Sequence, residues 1–65
     1  MADADLDAVR RAFAELTGLF EDAALIASEG QGVGSFEGGR RCISSLTFVM
    51  LRIRKRLVIL EGHLQ

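Results

Sequence analysis

A chain of 65 residues with net charge −1 makes one small domain at most, and a domain that small leaves too much surface uncovered to be more than marginally stable alone. Its one cysteine excludes an intrachain disulfide, and one histidine beside it is too few ligands for a zinc cage. With neither staple open to it, the chain is expected to gain stability by associating.

The small net charge conceals a division. Residues 1–37 hold eight acids and two arginines, a balance of −6, and residues 38–65 hold six bases and one acid, a balance of +5. A chain that folds back on itself sets the two signs side by side, which selects partner and orientation more than it adds stability. The N-terminus is acidic where a secretory signal is basic, and no apolar run is long enough to span a membrane. The expected setting is the cytoplasm, which suits a lone thiol.

The first predicted helix covers residues 5–29. Asp3 or Asp5 is placed to cap it, and Asp3, Asp5 and Asp7 set negative charge at the positive end of its dipole. Leu6, Val9, Phe13, Leu16, Phe20, Ala23 and Ala27 alternate in steps of three and four, an unbroken heptad stripe with Leu6 at a and Val9 at d. Ala12, Leu19 and Ile26 widen it at the neighbouring g positions, while Arg11, Glu15, Asp22 and Glu29 mark the solvated side. Gly18, which costs about 1 kcal/mol against alanine, falls at f, off the stripe. The stripe tapers from Phe and Leu to Ala, so large side chains such as Ile43 and Leu46 are expected to fill the space near the loop.

Glu29–Gly39 has five glycines in eleven residues. It reads as a flexible loop over 30–39, with Gly30 as a left-handed helix cap and Ser35 or Glu37 near the next helix start. Glycines ahead of arginines suggest a phosphate cradle. The Lys-Ser/Thr ending of a Walker loop is missing, however, as are the spacing and preceding strand of a dinucleotide fingerprint.

The second predicted helix covers residues 40–63. Ile43, Leu46, Met50, Ile53, Leu57, Leu60 and Leu64 form its a/d stripe, and Phe48, Leu51, Val58 and Ile59 lie on the opposite side. A helix with two apolar sides needs two things to pack against. The expected fold is therefore all-α, a two-helix antiparallel hairpin over 1–65 whose two a/d stripes form the intrachain seam. Phe48, Leu51, Val58 and Ile59 are expected to pair with a second copy, giving a four-helix bundle, or to meet a different protein.

Arg40, Arg41, Arg52, Arg54, Lys55 and Arg56 form a basic band around the second helix. One reading is a solvated face partly paired with Glu15, Glu21 and Asp22. The other is contact with RNA or DNA, which a pI of about 5.7 and the absence of Tyr and Trp weigh against. Docking of the second helix on a membrane surface is opposed by the acidic first helix. Cys42 reads as a small packed side chain and His63 as a surface or capping residue. No catalytic set, cofactor motif or metal-ligand spacing is present in the sequence, so no enzyme activity is expected. The expected function is a small regulator that binds protein, such as an antiactivator, inhibitor or adaptor. The alternative is a nucleic-acid-binding regulator that uses the arginine band.

Overall fold

The computed structural model describes the backbone from Asp3 to Leu64 and side chains over residues 5–64. Two helices, α1 (Asp3–Gly30) and α2 (Phe36–Leu64), pack against each other as a hairpin. The molecule is a rod with Cα extents of 51 × 15 × 11 Å. Asp5 lies inside the first turn of α1; the cap expected from Asp3 falls on a side chain outside those described.

Both helices run further into the glycine segment than its composition implies. α1 includes Gly30, and α2 includes Gly38 and Gly39, so the connection is only residues 31–35. Local hydrogen bonds offset the entropy that glycine loses in a helix. Ser35 is the N-cap of α2: its Oγ accepts from the Gly38 N–H at 3.0 Å. Glu37 sits in the first turn, favoured by the dipole, and accepts from Arg41 one turn on at 3.0 Å.

Gly30 does not form a left-handed cap, since no described glycine has positive φ. The end of α1 tightens instead. The Gln31 N–H is shared between the Ala27 and Ser28 carbonyls at 3.3 and 3.2 Å, and the Gly32 N–H reaches the Glu29 carbonyl at 3.0 Å.

The buried core is Val9, Ala12, Leu16 and Leu19 of α1 with Val49, Ile53 and Leu60 of α2; Ala23 and Ile26 pack against it partly buried. In heptad letters these are the d and g rows. The expected a/d seam is thus corrected by a rotation common to both helices. Its d residues are inside, but Phe13 and Phe20 of the a row are each 53% exposed, and Ile43, Met50 and Leu57 are exposed as well. Ile43 therefore does not fill the tapered end of α1; Cys42 does, with its Cβ 3.8 Å from where a Gly30 side chain would begin.

The Gly30–Cys42 approach and a 2.8 Å ion pair from Arg56 to Glu15 fix the antiparallel register. Counting from them along both helices, Ile26 is level with Leu46, Ala23 with Val49, Leu19 with Ile53 and Ala12 with Leu60. A small residue on one helix faces a larger one on the other at three of these levels: Gly30 with Cys42, Ala23 with Val49, Ala12 with Leu60. Close approach of the axes follows from that alternation.

Candidate functional site

At about 100° per residue, the a row lies roughly a quarter-turn to one side of a d/g seam, and the c row lies to the other side. An antiparallel pair keeps the same side of each helix forward. The a rows of α1 and α2 therefore share one broad face of the hairpin, and the c rows share the opposite face.

The c face is charged. Glu15, Glu21 and Asp22 of α1 and Arg52 and Arg56 of α2 line a groove of about 340 Å³ between the helices, with Gly18 and Leu19 in it. Arg56 occupies a g position of the seam. Its Nε lies 2.8 Å from Glu15 Oε2 in an ion pair, and both side chains stay more than 40% exposed. An ion pair this wet contributes under about 1 kcal/mol.

The basic band therefore does not form one patch. Arg52 and Arg56 face the acids of α1, and Arg41 is paired with Glu37. Arg40 lies three turns away, toward the loop. Among the described residues, Arg40, Arg52, Arg54 and Lys55 make no ion pair with a carboxylate within 4.0 Å. Arg54 and Lys55 border an apolar depression of about 450 Å³ on the outer side of α2, formed with Leu51, Val58 and Ile59. Phe48 stands one turn before it and is 71% exposed. Phe48, Leu51 and Val58 thus lie on a ridge facing away from α1, and Ile59, in the c row, borders both that ridge and the charged face, where it lines a depression with Arg52, Lys55 and Arg56.

The a face is apolar along most of its length. Leu6, Phe13 and Phe20 come from α1, and Ile43, Met50, Leu57 and Leu64 from α2. Thr17 and Thr47, at the neighbouring e positions, donate their hydroxyls to the Phe13 and Ile43 carbonyls at 3.0 and 2.8 Å.

At the hairpin tip Phe36 is 89% exposed, while Val33 packs beside Gly38 and Gly39. Cys42 is half-buried against Gly30, and His63 is exposed in the last turn of α2. Among the described residues, no three His, Cys, Asp or Glu side chains converge as a metal site, and no helix is long and apolar enough to cross a membrane.

Sequence reasoning placed the a rows inside the hairpin and so missed them as a surface. The signal that marks the true seam is the small residues Ala12, Ala23, Gly30 and Cys42 at d and g. Comparison with protein-family models, with curated proteins and with solved structures finds no match to this chain.

Proposed function

We propose that the protein is a small non-enzymatic interaction protein, a homodimer that binds another protein in the manner of an antiactivator, inhibitor or adaptor. The observation that carries this reading is the excess of large apolar side chains that the hairpin leaves uncovered. They include Phe13, Phe20, Met50 and Leu57 on one face and Phe48, Leu51, Val58 and Ile59 on the outer ridge of α2. Two helices enclose no core, and large contiguous apolar surfaces mark interaction sites. Two such surfaces suit two partners, one of them a second copy.

The outer ridge suits the protein target. Leu51, Val58 and Ile59 offer apolar contact, and Arg54 and Lys55 beside them favour an acidic partner. A reducing compartment, the cytoplasm, suits the single free thiol. Light scattering across at least a tenfold concentration range tests the homodimer: twice the chain mass is expected, and a monomer throughout rejects it. A gel shift at two salt concentrations tests the competing reading. Binding at low salt that weakens steeply with added salt would transfer the function of the arginines to nucleic acid.

A further inference from the structure

We infer that the a face, rather than the outer ridge of α2, is where the second copy sits. The two copies are related by a twofold axis parallel to the helices, so that each α1 lies over the α2 of the other copy. This inference rests on the homodimer reading and assigns its surface.

The heptad pattern is the first support. α1 carries apolar residues at a, d and g, and α2 carries them throughout a and d and at Cys42 and Val49 of g, so the a rows exceed what the d/g seam of the hairpin uses. In a four-helix bundle each helix has two neighbours, and the wider stripe serves both. The d and g rows already meet within the hairpin. The a rows remain, and they are spaced to form layers. Counting from the Gly30–Cys42 level, Phe13 stands within two residues of the level of Leu57, Phe20 within two of Met50, and Ala27 within two of Ile43. Two copies face to face bring these pairs together as four-residue layers.

Area is the second support. The plane of the two helices measures 51 × 15 Å between Cα atoms. The outline of that plane is about 770 Å² in projection, the same order as a face able to bury the roughly 800 Å² of accessible surface per partner of a standard specific interface. Covering this face costs little in polar groups, because the hydroxyls of Thr17 and Thr47 are already bonded to their own backbone.

Charge sets the orientation. α1 belongs to the acidic part of the chain and α2 to the basic part. An axis parallel to the helices sets each against the other and brings Arg10 level with Glu61 of the second copy. It leaves Arg54 facing the Thr17 side of the other α1. An axis across the helices instead sets α1 on α1 and α2 on α2, with the two Arg54 side chains nearly opposite each other at mid-length. Like charges juxtaposed across an interface are disfavoured.

The test has two arms. In the first, solution mass is measured for the unmutated protein, Phe20→Glu and Phe48→Glu, with circular dichroism as a check on folding. The expected result is a dimer, a twofold loss of mass in Phe20→Glu, and a retained dimer in Phe48→Glu. A dimer that survives Phe20→Glu but is lost in Phe48→Glu overturns this inference and leaves the homodimer standing. A monomeric unmutated protein removes both. The second arm needs no variant and decides the matter if Phe20→Glu unfolds. In a mixed sample of isotope-labelled and unlabelled chains, intermolecular nuclear Overhauser effects are expected from the Phe13 ring to Leu57 and from the Phe20 ring to Met50. Intermolecular effects between Phe13 and Phe20 would overturn the parallel axis, and effects centred on Phe48 and Leu51 would overturn the face.

Discussion

The seam and the row beside it are both largely apolar, the a row the more so because Arg56 stands in the seam, yet one is buried and the other is not. In the seam, Ala12, Ala23 and Gly30 of α1 face larger residues of α2. In the a row, Phe13 and Phe20 are accompanied by Met50 and Leu57. Two close helices accommodate a small side chain facing a large one, whereas rows of large side chains on both helices hold the axes apart. Hydrophobicity alone selects neither row; side-chain shape does.

The largest test of this contrast is a pair of truncations. Ile53 is 3% exposed in the seam, and Ile53→Ala is expected to lower unfolding free energy by about 2–5 kcal/mol in urea titration. Phe20 is half exposed in the single chain, and Phe20→Ala, measured at a dilution where the copies are apart, is expected to cost only about 1 kcal/mol, half the value of a fully buried large side chain. Equal losses at the two sites would show that Phe20 is covered by something outside its own chain.

A second test fills the small positions. Ala23→Leu inserts bulk where the axes approach and is expected to cost about 1–3 kcal/mol by thermal or denaturant unfolding. Ala27→Leu adds the same bulk to the a row, exposed in the single chain, and at a dilution where the copies are apart its effect should stay within about 0.5 kcal/mol. If Ala27→Leu proved the more damaging, the small residues of the seam would not be what sets the packing.

The smallest expected effect falls on the charged face. A Cβ added at Gly18 meets nothing within 4 Å, so Gly18→Ala should stabilise by about 1 kcal/mol through helix propensity alone. A lower melting temperature in that variant would mean that the groove beside Glu15 and Asp22 requires the missing side chain.

Two helices joined by a glycine-containing connection were legible because heptad steps repeat without interruption from Leu6 to Ala27 and from Ile43 to Leu64. The outward position of Phe48, Leu51, Val58 and Ile59 was legible too, since those residues lie off both stripes. The helix boundaries near the loop were not. Five glycines argue for a long loop by composition, whereas the N-cap at Ser35 and the Glu37–Arg41 pair hold Gly38 and Gly39 in helix. The basic residues were legible as spread around the second helix, one reading being a face partly paired with Glu15, Glu21 and Asp22. Because successive residues turn by about 100°, Arg52 and Arg56 face those acids of α1 while Arg54 and Lys55 lie on other sides.

By itself the sequence determined that this chain makes two long amphipathic helices of opposite charge with more apolar surface than one pairing can cover. Local periodicity and propensity carry that information. Only the tertiary structure decided which two of the three apolar rows meet, and therefore which face is left for another molecule. Rows a, d and g lie within roughly 120° of each other around the helix, and all three carry apolar residues. The choice among them rests on how Ala12, Ala23, Gly30 and Cys42 fit against the opposing helix, a matter of shape between residues far apart in the chain.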